Sequence, residues 1–160
     1  MRKIEILPYS EDLKKYFKSI NMRWLEKYFE VEPIDLNLLD KPEEFILEKG
    51  GEIYFAAVDG EIAGTCALEK HGATEYELIK MGVDPKFQGL GLGKLLGNHT
   101  INMARALGAT RLFLNSSRKL DTALELYKKL GFTEFVMDYS KSDYKRCDIT
   151  MELIFSDELR

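Results

Sequence analysis

The sequence predicts a mixed α/β domain, with one mostly antiparallel sheet of about six or seven strands flanked by helices. Apolar runs of strand length alternate along the chain with stretches that repeat apolar residues at helical spacing. Asp59-Gly60 separates two of these runs and favours a hairpin, because both residues tolerate positive φ. A glycine-rich stretch at residues 88–94 lies between a predicted strand and a predicted helix. The 160 residues, 45% of them hydrophobic, suit a single domain with one core.

Residues 1–50 are predicted to be mainly helical. The predicted elements are, in order, a strand at residues 3–7 closed by Pro8, a helix that starts at Ser10, a second helix at residues 22–29, an irregular connection at residues 32–41 and a short helix at residues 43–49. The connection is interpreted as irregular because acids, proline and leucines are mixed in it. Gly50-Gly51 is expected to end the last helix, since glycine favours the conformation that follows a helix.

The rest of the chain is predicted to supply most of the sheet and two longer helices. The predicted elements are strands at residues 53–58, 61–68 and 74–83, a helix from Leu92 to Gly108, a strand at residues 111–114, a helix at residues 122–130, and strands at residues 132–137 and 148–155. Gly131 follows the second helix at the position of a left-handed C-cap. A polar loop at residues 141–146 is interpreted as solvated.

Composition and charge narrow the class of protein. Lys and Arg total 23 against 27 Asp and Glu, and this balance argues against a nucleic-acid partner. No apolar run approaches the roughly 20 residues that a membrane-spanning helix requires, and the N-terminus lacks the apolar segment of a secretory signal. Cys66 and Cys147 have no metal-type or redox-type spacing, so we expect buried, reduced thiols in a cytoplasmic protein without a metal site.

The glycine-rich stretch Q-G-L-G-L-G-K at residues 88–94 predicts an anion site. Glycine lets a backbone approach a ligand closely, and a helix N-terminus presents unpaired N–H groups with partial positive charge. A dinucleotide fingerprint would need glycine at Lys94 or at Leu96, depending on its register. A nucleotide P-loop would need glycine at Gln88 and Ser or Thr at Leu95, so neither pattern fits.

Two segments carry a resemblance to the Gcn5-related N-acetyltransferases. The stretch E-L-I-K-M-G-V-D-P-K-F-Q-G-L-G-L-G-K-L-L at residues 77–96 is similar to that family's strand, coenzyme A loop and helix, with Gln88, Gly91 and Gly93 filling the loop motif Q/R-x-x-G-x-G/A. The stretch L-F-L-N-S-S-R-K-L-D-T-A-L-E-L-Y-K-K-L-G-F at residues 112–132 resembles the family's second landmark. The resemblance implies one domain, with acceptor-side helices at residues 1–50, an acyl-CoA-binding core at 51–135 and C-terminal strands at 136–160.

The resemblance implies an N-acyltransferase in which an amine directly attacks acetyl-CoA while both substrates are bound. An amine of pKa near 10.4 is about one part in a thousand neutral at pH 7.4, so a base matters. Glu77 matches a family carboxylate that acts as that base directly or through water, provided that burial raises its pKa; it could instead orient the acceptor or be a solvated strand residue. Tyr127 matches the family tyrosine that protonates the leaving thiolate, although its spacing also fits a core tyrosine.

The resemblance also implies a set of residues around the acyl-CoA. The strand before the loop splays from its neighbour in this family, which frees main-chain groups of Met81 and Val83, and Gly82 is expected to ease the bulge there. Ser117 stands where relatives often carry Asn, and Asn115 is a partial substitute. The implied coenzyme contacts are Met81, Val83, Gln88, Gly89, Gly91, Gly93, Lys94, Asn115 and Ser117.

Several interpretations stay open at this point. Trp24, Tyr28 and Glu32 either line an acceptor pocket or belong to the packing of the early helices. His71, in a predicted turn, and His99, in a predicted helix, are interpreted as structural or solvated. Two rivals to the transferase are a silent acyl-CoA-binding module and a CoA-thioester hydrolase. The acceptor is not defined, although an acidic pI of about 5.3 favours cationic amines, and homodimerisation through the late strands is common among such proteins.

Overall fold

The computed structural model describes residues 2–142 and 144–155. The strands are β1 (Ile4–Pro8), β2 (Glu52–Val58), β3 (Glu61–Lys70), β4 (Glu75–Val83), β5 (Arg111–Ser116), β6 (Thr133–Phe135) and β7 (Ile149–Ile154). The helices are α1 (Lys14–Tyr28), α2 (Pro33–Asp40), α3 (Leu92–Ala106) and α4 (Asp121–Lys129), with shorter helical turns at Glu11–Leu13, Glu43–Leu47, Pro85–Phe87 and Tyr139–Lys141.

The strands form one seven-stranded sheet in the order β1-β2-β3-β4-β5-β7-β6. Among the strand pairings of the described residues, only that between β4 and β5 is parallel, which confirms the predicted mostly antiparallel sheet. Two hydrophobic clusters lie on opposite faces: α1 and α2 pack on one face, which we call the α1/α2 face, and α3 and α4 pack on the other. The Asp59-Gly60 hairpin is confirmed, with both residues at positive φ.

A β-bulge interrupts β4. Thr65 of β3 pairs with Gly82 and Ala67 pairs with Ile79, so two residues of β4 oppose the single residue between them on β3. The residue at positive φ is Lys80 (φ 51), and the expectation that Gly82 eases the bulge is wrong. Gly82 is needed for space instead, because a Cβ there would lie about 3.0 Å from Ile20 of α1.

β4 and β5 separate beyond their first residues. Their parallel pairing is confined to Glu75, Tyr76 and Glu77 of β4, opposite the start of β5. The remainder of β5 pairs only with β7 on its other side. A wedge-shaped opening therefore lies between β4 and β5, as the resemblance implied.

The N-terminal helices differ from the prediction. The two stretches from Ser10 and at residues 22–29 form the single helix α1, preceded by one 3-10 turn. The supposedly irregular residues 32–41 contain α2, and Pro33 is its first residue. The Glu32 side chain accepts the Asp35 backbone N–H while the Asp35 carboxylate accepts the Glu32 backbone N–H, a capping box that stabilises a short helix. The helix predicted at residues 43–49 is a π-helical turn.

The remaining elements match their predicted positions within a few residues, and Gly131 has the predicted left-handed conformation (φ 104). Cys66 and Cys147 are both buried free thiols, as expected. In the part of the chain that the structure describes, no helix is both long and apolar enough to span a membrane. His99 packs edge-on against Tyr54, at 4.6 Å between ring centroids, which agrees with a structural role.

Candidate functional site

A cavity of about 910 Å³ occupies the opening between β4 and β5. It extends from the N-terminus of α3 to the C-terminal end of α1, and residues from α4 and from the loop after β6 complete its walls. Of the residues predicted to form the site, Trp24, Tyr28, Glu77, Met81, Val83, Gln88, Gly89, Gly91, Gly93, Lys94, Asn115, Ser117 and Tyr127 line this cavity. Residues far apart in sequence thus share one enclosure.

The α3 end of the cavity has the geometry of an anion site. Gly89 (φ 85) and Gly91 (φ 76) adopt left-handed conformations, and Gly91 is the N-cap of α3. The first helical hydrogen bond runs from the Leu95 N–H to the Gly91 carbonyl, so the preceding N–H groups of the helix have no helical partner. These N–H groups, the helix dipole and the nearby Lys94 ammonium all favour a negatively charged ligand.

Tyr127 projects from α4 into the cavity wall and is 9% exposed. Burial raises the pKa of its phenol, so the hydroxyl stays protonated through neutral and alkaline pH. Among the described residues, the structure gives this hydroxyl no hydrogen-bond partner. The ring of Tyr127 packs edge-on against Phe132, as a core tyrosine would. The hydroxyl faces the cavity instead.

Glu77 is buried where β4 and β5 begin to separate. Its carboxylate accepts hydrogen bonds from His71 Nε2 at 2.8 Å and from Asn115 Nδ2 at 3.2 Å. Burial raises the Glu77 pKa although both bonds oppose this, whereas hydrogen bonds from Nε2 to Glu69 and Glu77 raise the His71 pKa to about 10. A carboxylate with a raised pKa, held beside an imidazolium, is suited to receiving a proton.

His71, which the sequence favours as a structural or solvated residue, contacts Glu77 in the structure. It lies in a turn, as predicted, but its backbone N–H bonds to the Glu75 carbonyl, and the ring is thereby brought against the start of β4. The side chain is 38% exposed and reaches from solvent to the buried Glu77. The ligand atoms of Glu69, His71 and Glu77 lie within 4.8 Å of one another, yet a cation there would have to displace the imidazole proton.

Asn115 lines the cavity and also has two side-chain partners within the protein. Its amide nitrogen donates to Glu77 and its oxygen accepts from the Thr150 hydroxyl at 2.7 Å, so the amide helps to fix the carboxylate. Ser117 is buried, and its hydroxyl accepts the Lys119 backbone N–H at 3.3 Å. Met81 and Val83 pack their side chains on the α3 side of the sheet, so only their main-chain groups stay candidates for a contact with the coenzyme.

Two of the three predicted acceptor-pocket residues line the cavity. Trp24 is oriented by a hydrogen bond from its indole nitrogen to the buried Asn21 at 2.9 Å, and Tyr28 is half-exposed nearby. Glu32 is not a lining residue: it caps α2 and accepts a hydrogen bond from Arg146 Nη1 at 3.1 Å. Its capping function was missed together with α2 itself.

Lys80 and Arg146 are cavity residues that the sequence analysis did not identify. Both contact Asp35 of α2, with Lys80 Nζ at 2.5 Å and Arg146 Nη2 at 2.7 Å from Oδ1. Burial acts to raise the Asp35 pKa, but the two cations outweigh it and hold the pKa below its ordinary value. The loop interpreted as solvated therefore has partly buried residues at Tyr144 and Arg146, whereas Asp143 lies outside the described residues.

Comparisons with known proteins agree with this geometry. The mycothiol acetyltransferase of Thermomonospora curvata is 37% identical over 89 residues, which are 54% of this chain and 29% of that protein. The chain spans between 29% and 38% of the length of the first curated relatives that it matches. A GNAT-family acetyltransferase from Staphylococcus aureus Mu50 has the same fold, with a TM-score of 0.83 at 21% identity over 94% of this chain and 98% of that one.

A second solved structure, the PaiA N-acetyltransferase of Thermoplasma acidophilum in complex with coenzyme A, gives a TM-score of 0.74 at 19% identity, covering 96% of this chain and 99% of that one. The sequence model of the acetyltransferase (GNAT) family matches residues 14–132, which include α1, the glycine-rich loop and the helix of Tyr127. With most of its length covered by that match, the chain belongs to the GNAT acetyltransferase family.

Proposed function

We propose that the protein is an N-acetyltransferase that uses acetyl-CoA to acetylate an amine. The main support is that one cavity joins the anion site of α3 to a buried carboxylate, Glu77, and a buried phenol, Tyr127. Membership of the acetyltransferase family and the fold shared with an N-acetyltransferase that binds coenzyme A support the assignment. The cavity is large enough for a substrate arm and an acceptor, since ligand pockets commonly measure about 300–1,000 Å³.

The donor is proposed to enter from the α3 end. The pyrophosphate would be bound by the N–H groups around Gly89 and Gly91, and Lys94 would add a charge. The pantetheine arm would lie between the separated β4 and β5, where main-chain groups of Met81 and Val83 are free of β5. Main-chain donors in such a cleft stabilise the oxygen of a thioester carbonyl as negative charge develops on it.

The acceptor proton is proposed to go to Glu77. The amine nitrogen forms a bond to the acyl carbon, the carbon–sulfur bond breaks, and Glu77 takes the proton that the nitrogen loses, directly or through water. His71 is proposed as a positioning residue that keeps Glu77 ionised in its buried site and connects it to solvent. Tyr127 is proposed to give its proton to the departing thiolate, which its protonated state at neutral pH allows.

Calorimetric titration with acetyl-CoA and thiol release against a panel of amines test this function together. We expect saturable binding, and thiol release that depends on added amine. Binding without release for any amine would favour a silent binding module, and release without amine would favour a hydrolase. Absence of acetyl-CoA binding below about millimolar concentration, the affinity range of a weak ligand, would refute all three.

A matched pair of glycine variants localises the donor site. Gly91 (φ 76) and Gly108 (φ 91) lie at opposite ends of α3, and a Cβ at either would meet no atom within 4 Å. Gly91→Ala and Gly108→Ala should therefore strain the backbone similarly, by about 1–2 kcal/mol. Only Gly91→Ala should weaken acetyl-CoA binding. Equal affinities for the two variants would place the donor elsewhere.

The cellular location and the oligomeric state are also proposals. A cytoplasmic location is supported by the two buried free thiols, which suit a reducing compartment. A homodimer is supported by apolar side chains exposed around β6, among them Val136, which is 86% exposed.

A further inference from the structure

The bulge in β4 determines which layer Lys80 faces. Before the bulge, Leu78 packs on the α3 side of the sheet and Ile79 on the α1/α2 face, as strand alternation requires. After the bulge, Met81 packs on the α3 side and Gly82 abuts α1, so Lys80 is the inserted residue. The insertion directs Lys80 to Asp35 on the α1/α2 face.

Two features of Lys80 are energetically unfavourable, its backbone conformation and the burial of its charge. Its backbone has φ 51, which is rare for a residue with a Cβ and is found mainly at functional sites. Its side chain is only 4% exposed, although burying an ammonium is expensive. The ammonium has three N–H donors and Asp35 is its one hydrogen-bonded partner among the described residues, while the Tyr144 ring lies 5.0 Å away.

Arg146 adds a second cation to the same wall. It engages both Asp35 oxygens and one Glu32 oxygen, and it stacks over the Tyr144 ring at 4.3 Å. Lys80 and Arg146 line the cavity, whereas the two carboxylates that pair with them do not. The two carboxylates balance the charge of the two cations, but they lie behind the wall, so the charged groups that face the cavity here are those of Lys80 and Arg146.

Further charged residues of both signs line the cavity, and the carboxylates among them outside β4 are Asp121 and Glu125 of α4. Lys27 and Lys119 also line the cavity, beside Tyr28 and Phe29. The one carboxylate among the lining residues of β4 is Glu77, which is already bonded to His71. A polyamine or another purely cationic acceptor would meet two like charges beside Lys80 and Arg146, contrary to the bias suggested by the acidic overall charge.

We propose that the acceptor is an amine that also carries a carboxylate, with the carboxylate bound by Lys80 and Arg146 and the amine directed toward Glu77. The inference rests on the proposed acetyltransferase function. It assigns two roles to one face of β4, since the bulge places the carboxylate-binding cation on the same face as the base. Amino acids and related amino carboxylates are the class with this chemistry.

Matched acceptors test the inference in the wild-type protein. Each of a set of amino acids, including α-, β- and γ-amino types, is compared with its carboxamide, which keeps the amine but loses the negative charge. Thiol release from acetyl-CoA should show a kcat/KM at least on the order of tenfold higher for the carboxylates, the range expected for a hydrogen bond between charged groups. The carboxamides lower the amine pKa, so kcat/KM is compared at neutral pH, where Lys80 can carry its charge, after division by the fraction of each acceptor that is a neutral amine.

A binding measurement separates recognition from chemistry. Trp24 is the single tryptophan and lines the cavity, so its fluorescence reports acceptor binding in the presence of coenzyme A. The carboxylates should perturb it at concentrations on the order of tenfold lower than the carboxamides. Lys80→Met should remove this preference. Lys18→Met, which breaks an exposed ion pair between α1 and Asp40 of α2 and lies outside the cavity lining, should retain it.

The outcomes distinguish the two proposals. Carboxamides that bind and react as well as the carboxylates, with acetyl-CoA bound and consumed, would overturn the inference and leave the transferase standing. Failure of acetyl-CoA to bind would overturn the proposed function, and the inference with it. If Lys80→Met does not fold, the comparison of acceptors in the wild-type protein decides alone.

Discussion

At the scale of single residues, the neighbours of Glu77 determine its chemistry. A carboxyl group in water has a pKa near 4.3 and is a weak base at neutral pH. Burial raises the pKa of Glu77, and the His71 imidazolium limits how far it rises. The two groups titrate as a pair, so the pH dependence of activity should report on both.

His71→Gln should shift the acidic limb of the pH profile of kcat/KM to higher pH. The variant removes a positive charge beside Glu77, so the carboxyl pKa rises and the limb of kcat/KM moves to higher pH. The difference from wild type should shrink above pH 10, since His71 itself loses its proton near pKa about 10. His99→Gln is the control, because His99 packs on Tyr54 and does not contact Glu77. A limb that stays in place in His71→Gln contradicts the pairing.

Tyr127→Phe should reduce turnover without weakening donor binding. The hydroxyl has no protein partner among the described residues, so its loss should leave the fold and the calorimetric affinity for acetyl-CoA nearly unchanged. A fall in kcat of about 10²–10⁴-fold is expected if the phenol protonates the thiolate. Tyr54→Phe, at another buried tyrosine that is bonded to Glu52, provides the comparison. An unaffected rate would exclude Tyr127 from the mechanism.

At the scale of elements, the backbone at Gly51, between the N-terminal helices and β2, packs very closely against β3. A Cβ at Gly51 would lie 2.2 Å from the Leu68 carbonyl oxygen of β3 and 2.8 Å from the Ile46 carbonyl oxygen. Gly51→Ala should therefore destabilise the protein by about 3 kcal/mol or more, since backbone atoms cannot move aside as a flexible side chain can. Gly72→Ala, where the nearest atom would be 4.0 Å away, should change stability by less than about 0.5 kcal/mol. Urea unfolding of the two variants measures this difference, and similar midpoints would contradict it.

Local signals explain which elements could be predicted. The Asp59-Gly60 hairpin and the loop before α3 depend on residues next to one another in sequence, and both were predicted correctly. α2 was missed because its start depends on a reciprocal pair of side-chain caps, with glutamate rather than the more usual serine or aspartate at the N-cap. The positive φ of Lys80 could not be predicted, because the bulge is defined by the register with β3.

In the candidate site, too, residues within sequence motifs could be predicted, whereas contacts between residues far apart in sequence could not. The loop residues and Tyr127 were found through motifs. The partners of Glu77 were not, because Asn115 is 38 residues away and meets it only through the parallel register of β4 and β5. Arg146 lies 111 residues from Asp35, and no local pattern indicates that contact. Motifs therefore indicated the residues of the proposed donor side of the cavity, while the residues of the proposed acceptor side come together only in the assembled sheet.

At the scale of the whole molecule, the two ends of the sheet differ in exposure. β6 is a three-residue edge strand, and the chain after it exposes Val136 (86%), while Ile154 on the adjacent β7 is 66% exposed. Exposed apolar side chains beside a free strand edge favour association with another chain. The opposite edge, β1, exposes far less apolar surface, with Ile4 at 38%.

Self-association through the β6 edge should therefore depend on Val136. Val136→Lys places a charge on the edge, which opposes burial of this surface, and should shift sedimentation from dimer to monomer. Ile4→Lys makes the same change on β1 and should leave the dimer intact. Because Val136 does not line the cavity, the affinity for acetyl-CoA should be the same in both variants. A wild-type protein that sediments as a monomer at every concentration would refute the dimer, and a dimer that survives Val136→Lys but not Ile4→Lys would place the interface at β1.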